Sequence, residues 1–508
     1  MAIKVAMIGA GSIGFTRRLM RDILSVPELA DTEFAFTDIH KRNLDMVHRL
    51  ALRDIEANRV PAKLSATTNR RRALEGADYV FSLVRVGGLD AFQTDIDIPL
   101  RYGVDQCVGD TLCAGGIMYA QRGIPVILDF CKDIHEVAAP GCVFMNYANP
   151  MAMMTWAANA YGGVRMIGLC HGVQGGIHQI ADVLGLPAGE LDVICAGINH
   201  QTWYVSVKHR GKELTGALLP LFERHPVYSK TEKVRIDMLR RFGYYTTESN
   251  GHVSEYVPWY RKRPGEIRRW ISLDSWINGE TGGYLRVCTE GRNWFEDDYP
   301  NWLKAEPPRF TPETRSGEHG SRIIEAMVTG RVYRGFFNVT NGGIITNLPS
   351  DCIIEAPGYV DGNGLNMPVV GDLPLACAAT CNASIQVQRM AVQAAVTGDP
   401  TLLKQAVLHD PLTAAVCNPA EIWQMVDEML VAQAPWLPQY KREIPKARKR
   451  LSTEKRLGIH STKGAARLKT KSVAEMKRDA EAARRNADAA DKAERRRAKG
   501  RRTMTKRK

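Results

Sequence analysis

Residues 3–8 (IKVAMI) form a short apolar run that ends in Gly9-Ala10-Gly11-Ser12 and passes into an amphipathic stretch reaching about Arg53. A buried strand that turns through glycines straight into a helix restricts the fold severely, because the helix must pack back on the strand it leaves. Further apolar runs follow at 33–37, 79–84, 143–145 and 166–169, separated by helical patterns, with 126–129 assigned to a helix. Strands alternating with helices predict a parallel α/β sheet. Beyond about Asn199 the pattern changes. Segments 201–210 and 334–357 read as β, and 231–243, 321–330 and 376–410 as helix. The chain is therefore divided into an α/β domain over 1–198 and a mixed α+β domain over 199–440.

The formal net charge of +13 does not describe the body of the chain. From Lys441 onward there are 26 Lys and Arg against 8 Asp and Glu, so this tail carries +18 and residues 1–440 carry −5. The tail, 441–508, is low in aromatics and has no sustained apolar stripe from about 446. It reads as disordered or as a solvated, marginal helix. Such a tail can attract polyanions non-specifically and in a salt-sensitive way, and it contains no recognisable reading module. The body's partners must be argued from its sites. Its 11 cysteines are scattered without a CxxC pair, which argues against a disulfide framework and for a reducing compartment. No apolar run is long enough for a bilayer, and the first strand begins where a signal peptide would lie, so a cytoplasmic chain without membrane contact is expected.

Gly9, Gly11 and Ser12 stand where a first strand becomes a helix. Glycine there lets a backbone approach a pyrophosphate, and the helix N-terminus supplies unpaired N–H groups. Asp38 follows the second run, where an acid can bind ribose hydroxyls, which favours NAD over NADP. The α/β domain is accordingly read as Rossmann-like.

Four polar segments interrupt this frame. Asn149-Pro150 follows a strand and reads either as a turn or as an amide aimed at a ligand. Cys170-His171 opens a glycine-rich turn, and His200 lies thirty residues on from Cys170. A thiolate and an imidazole can hold a divalent metal, or can be buried core residues. Residues 247–260, with His252, Glu255 and Tyr256, gather acids and aromatics as a sugar site or a capped loop would.

In order, IGAGS, GDTLCAGGIM (109–118), NYANPMAM (146–153), GLCHGVQG (168–175), CAGINH (195–200), GYYTTESNGHVSEYVPWY (243–260), NGGIITNLP (341–349) and VDGNG (360–364) resemble glycoside hydrolase family 4. The likeness covers roughly 3–440 and is closest to the melibiase-type α-galactosidase branch. It implies a lactate/malate dehydrogenase-like first domain and a homodimer or homotetramer acting on a small α-linked saccharide. It also implies an NAD- and Mn²⁺-dependent glycosidase, an exception to the two-carboxylate rule. In that chemistry the sugar is oxidised at C3, the C2 proton is removed, the aglycone is eliminated, water adds and C3 is re-reduced. Gly9, Gly11, Ser12 and Asp38 would then hold NAD, Cys170 and His200 the metal, and Asn149 the sugar. His171 is the implied general acid. For the base, Tyr256 is preferred over His252 and Glu255, and Asn250 stands where another branch has Asp. The tetrapeptide at the metal cysteine reads CHGV rather than the CHSV typical of α-galactosidases, so α-galacturonides and α-glucuronides are the second expectation. A true NAD-dependent dehydrogenase of a sugar or hydroxy acid is the rival reading.

Overall fold

The structure, a computed structural model, describes residues 2–273, 279–483 and 485. Thirteen strands among these residues join in one sheet. Six come from the first third of the chain: β1 (Lys4–Ile8), β2 (Glu33–Thr37), β3 (Lys63–Thr67), β4 (Tyr79–Ser82), β5 (Val143–Asn146) and β6 (Met166–Gly168). They are parallel and ordered β3-β2-β1-β4-β5-β6. This is the doubly wound order of the Rossmann fold, which reverses direction between β1 and β4 and opens a crevice at the carboxyl ends of the strands. Apart from the edge strand β3, the strands are short and near-continuously apolar, as in a parallel sheet with helices on both faces.

The other seven are β7 (Leu191–Ile198), β8 (Gln201–His209), β9 (Lys212–Glu213), β10 (Tyr245–Thr246), β11 (Tyr333–Thr340), β12 (Ile353–Asp361) and β13 (Gly364–Asn366). They extend the same sheet beyond β6 in the order β11-β12-β7-β8-β10, antiparallel throughout. The junction is narrow: Asn338 of β11 pairs with Gly168 of β6, and Glu355 of β12 with Gly197 of β7. Asn199 and His200 form the two-residue turn between β7 and β8, and His200 takes a left-handed φ of 63°. The helix Gly172–Leu184, which follows the Cys170 turn, buries Val173 and Ile180 against Cys195, Tyr204 and Tyr245. That apolar cluster ties the turn after β6 to the antiparallel strands.

The strands read from sequence at 33–37, 79–84, 143–145, 166–169 and 201–210 appear with shifts of a residue or two. Segment 334–357 divides into β11 and β12. Segment 376–410 divides at Gly398, whose left-handed φ of 69° ends the helix Leu375–Thr397, and Asp399 caps the helix Pro400–His409 through the Thr401 and Leu402 amides. β3 and β7 were not foreseen.

Residues 444–467 of the tail are ordered, unlike the solvated segment expected there. The helix Ile444–Thr453 packs on the helix Pro419–Ala432, with Arg450 hydrogen-bonded to buried Asp427 at 2.7 and 2.8 Å. Residues 455–467 then run as an extended strap along 101–106. The reason is complementary charge: Asp97, Asp105 and Asp427 in the body pair with donors of a segment whose own composition reads as solvated. Residue 484 and the part of the tail from 486 lie outside the described residues. Residues 286–305 and those described from 468 form a second compact unit, in which Lys477 pairs with Asp297 and the Lys471 amide bonds Glu290. No described helix is long and apolar enough to cross a membrane.

Candidate active site

The turn after β1 is built to bring backbone close. Gly9 has φ 84°, and its amide and that of Ala10 bond the Thr37 carbonyl at the end of β2 at 2.9 and 3.1 Å. A Cβ on Gly9 would lie 2.9 Å from the Leu83 carbonyl carbon. The Gly11 amide donates to Asp38 Oδ2 at 2.9 Å, and the His40 amide to Oδ1 at 2.8 Å. Asp38 thus fastens the turn to the end of β2 while remaining partly exposed. Ser12 begins the helix Ile13–Leu24 with no side-chain capping bond, so the first-turn amides stay free for an anion. Gly14, given no role above, completes a GxGxxG spacing with Gly9 and Gly11.

At the ends of the neighbouring strands three potential ligands converge. Cys170 follows β6, His200 sits in the β7–β8 turn, and Glu248 follows β10. Their ligand atoms all lie within 4.8 Å of one another. Burial pushes the Cys170 thiol well above its ordinary range, and the Glu355 and Glu248 carboxylates push it the same way. Burial lowers His200 to about 4. For Glu248 burial alone would raise the carboxyl, but the imidazoles of His252, His200 and His171 outweigh it and hold the group at about 2. A neutral imidazole, an ionised carboxylate and a displaceable thiol proton suit a borderline divalent ion, and three protein ligands leave positions for oxygen ligands.

Second contacts orient these groups. His200 Nδ1 lies 3.0 Å from Thr111 Oγ1, which donates to Asp110 Oδ1 at 2.9 Å. Such a carboxylate–hydroxyl–imidazole chain protonates Nδ1 and leaves Nε2 as the free lone pair. Asp110 also accepts from Asn149 Nδ2 at 3.1 Å. On the other side Asn199 bonds Cys170 and donates to Glu355 Oε2 at 3.2 Å. Burial raises Glu355 to about 7, and Glu248 adds to the shift. Gly172 has a steric reason: a Cβ there would overlap Glu248 Oε1.

Most residues singled out in the sequence come together here. Tyr256, on the helix Asn250–Tyr256, is fully buried, with Oη 3.4 Å from His200 Nδ1. His252 stands edge-on to His200, ring centroids 5.0 Å apart, and its Nδ1 lies 2.7 Å from Ser249 Oγ and 3.4 Å from Glu248 Oε2. His171 is exposed at the start of the helix Gly172–Leu184. Glu255 turns away from the cluster: its carboxylate accepts the Cys107, Val108 and Gly109 amides at 2.6, 3.0 and 2.9 Å. Asn250 likewise accepts the Val234 amide and donates to the Trp270 carbonyl. Glu248 and Thr111 were not foreseen as site residues. The only hint for Glu248 was its place in the acid-rich segment.

A doubly wound sheet that opens a dinucleotide-type turn and a cation cluster at the same edge defines a class: α/β enzymes that bind a nucleotide cofactor beside a divalent ion. Comparison with known proteins supplies the family. Residues 4–186 match the family 4 glycosyl hydrolase model, and residues 195–413 match the family 4 glycosyl hydrolase C-terminal domain. The chain belongs to family 4 of the glycosyl hydrolases. It is 61% identical over 483 residues to an α-galactosidase of Rhizobium meliloti, covering 95% of this chain and 98% of that one. An α-galactosidase of Bacillus subtilis is 35% identical, with 86% and 100% covered. The 6-phospho-β-glucosidase of Thermotoga maritima, solved with manganese, NAD⁺ and glucose-6-phosphate, superposes with a TM-score of 0.70 at 21% identity, over 85% of this chain and 99% of that one, a likeness of fold.

Proposed function

We propose that this chain is a cytoplasmic α-galactosidase that uses NAD and a divalent ion, with Mn²⁺ the natural first choice. The observation that carries the reading is the convergence of Cys170, His200 and Glu248 at the strand ends that also carry the Gly9–Gly11 turn. The 61% identity to an α-galactosidase supports the sugar. The 11 free cysteines fit a reducing compartment.

Gly9, Gly11, Ser12 and Asp38 would hold NAD, and Cys170, His200 and Glu248 the ion. Bound together, these groups supply a reversible two-electron oxidation of the sugar and a Lewis-acid centre beside it. The chain's own residues position and move protons. Asn149 has its amide nitrogen fixed on Asp110, which leaves its oxygen to accept from a sugar hydroxyl. Tyr256 Oη is the candidate to take the C2 proton. Its phenol is pushed well above the usual range by burial, so it is protonated in the free chain and needs positive charge nearby to ionise. His171, exposed beside Cys170, is free to donate a proton to the leaving oxygen. His252, bonded to Ser249 and facing Glu248, serves better as an orienting partner than as a base. Assembly as a homodimer or homotetramer belongs to this reading, as does non-specific polyanion binding by the basic tail.

The test is release of nitrophenol from p-nitrophenyl α-galactoside and, in parallel, from the α-galacturonide, with NAD, Mn²⁺ and a reductant. Release that stops when NAD or Mn²⁺ is withheld, without accumulating NADH, is expected. Preference for the galacturonide would move the substrate assignment to the reading that Gly172 of CHGV favours. NADH accumulating without nitrophenol would replace the glycosidase reading with a dehydrogenase.

A further inference from the structure

The strap 455–467 lies beyond residue 413, where the matched family domains end. It is fastened along its length. Gln424 Nε2 donates to the Lys455 carbonyl at 2.9 Å, and Gln424 Oε1 accepts the Leu457 amide at 2.8 Å. A Cβ on Gly458, φ 82°, would lie 2.9 Å from the Arg101 carbonyl, and the His460 amide donates to that carbonyl at 2.7 Å. Further on, the Ala465 amide donates to Asp105 Oδ2 at 2.7 Å. Ala466 exchanges bonds with Thr281, its amide to Oγ1 at 3.3 Å and its carbonyl from the Thr281 amide at 3.1 Å. Arg467 closes on Asp97 at 2.6 Å.

Asp105 is where the strap meets the interior. It is buried, and its carboxylate also accepts Arg261 Nη2 at 2.7 Å and Thr281 Oγ1 at 2.8 Å. Arg261 is buried too, and spends its other donors on the Asp105 and Gly279 carbonyls and on Ser254 Oγ. Ser254 belongs to the helix Asn250–Tyr256. Two residues beyond Asp105, the amides of Cys107, Val108 and Gly109 hold Glu255 of the same helix. The segment then reaches Asp110 and Thr111, which touch Asn149 and His200.

We propose that the strap is a positioning element for the active site. By pinning Asp105 and Thr281 it holds segment 105–111 and, through Arg261, the helix Asn250–Tyr256, so that Tyr256 and His200 keep their register with Cys170. The inference rests on the α-galactosidase reading for its kinetic consequence, but the mechanical coupling does not.

Two substitutions in the full chain loosen the strap without touching the cluster. In Gly464→Ala the new Cβ would lie 2.5 Å from Thr281 Oγ1, at a φ of 67° that disfavours any side chain. Thr281→Val keeps the shape and removes both the donor to Asp105 and the acceptor for Ala466. Thr281→Ser restores both. Amide hydrogen exchange over 250–262 is expected to quicken at least about tenfold in Gly464→Ala and Thr281→Val, and to return to normal in Thr281→Ser. With p-nitrophenyl α-galactoside, kcat is expected to fall about tenfold or more in the first two while KM moves less than about threefold. Unchanged exchange would overturn the proposal. So would quicker exchange with kcat unchanged, because the strap would then stabilise without positioning. Wild-type chain inert towards the galactoside would sink the activity reading alone, since the exchange measurement needs no substrate.

Discussion

Cation binding at Cys170, His200 and Glu248 should release one proton per ion above neutral pH, and that proton should come from Cys170. His200 is held at about 4 and Glu248 at about 2, so both are already in ligand form near neutrality. The Cys170 thiol is raised far above its ordinary value, chiefly by burial, and is protonated throughout the working range. Only the thiolate ligates, so an entering ion must displace that proton. The sign follows. Binding releases H⁺, so raising the pH strengthens the apparent affinity, by about tenfold or about 1.4 kcal/mol per pH unit for one proton. Three other groups face the cluster. Glu355, held at about 7 by burial, is bonded to Asn199 beside Cys170 and would add a second proton at lower pH. The His171 and His252 imidazoles face Glu248. The measurement is therefore calorimetric titration with MnCl₂ at pH values from about 7.5 to about 8.5, anaerobically, in two buffers of different ionisation enthalpy. One proton per ion and a tenfold tightening across that unit are expected. Cys170→Ser should abolish the slope, and Glu355→Gln should leave it. A wild-type count of zero, or a slope that survives Cys170→Ser, would refute the assignment.

Gly172→Val places a branched side chain, bulkier than the Ser of CHSV, against Glu248 Oε1 and should weaken Mn²⁺ binding at least about tenfold, read by the same titration, with NAD affinity little changed. Tyr256→Phe removes the phenol beside His200 and should lower kcat by about 10²- to 10⁴-fold with little effect on thermal unfolding. Glu255→Gln should do the reverse. Three buried amides lose an ionised acceptor, and denaturant unfolding should show a loss of about 2–4 kcal/mol. A chain ending at Ala483 should keep its stability. One ending at Gln439 should unfold several degrees lower, because it loses Tyr440, whose Oη bonds Gln121 at 2.7 Å, and the two bonds from Arg450 to buried Asp427, which keeps only Lys404 as its ion-pair partner among the described residues.

What the sequence made legible follows from where each signal is local. β2 is a five-residue run of alternating and aromatic apolar residues, and its bounds can be read from the residues alone. β3 (KLSAT) carries little apolar character because it is an edge strand with no fully buried residue. It is a strand only through its pairing with β2. β7 is hidden differently: its buried half is the motif CAGINH, whose polar end draws attention to a site and away from the strand beneath it. Cys170 and His200 follow strands directly, so their convergence could be suspected. Glu248 lies 78 residues beyond Cys170 in sequence and reaches it because β10 pairs with β8 beside the β7–β8 turn. Nothing about one acid among several carries that pairing. Glu255 and Tyr256 are adjacent in one helical turn and equally plausible as proton carriers on composition. Three backbone amides from 107–109 decide between them, and only the fold brings those amides there. The tail makes the same point about charge. Basicity and low aromatic content describe how a segment behaves alone in water, but residues 444–467 are held by Asp427, Asp105 and Asp97, carboxylates placed by the rest of the chain. A segment's order is a property of the surface that receives it as much as of its own residues.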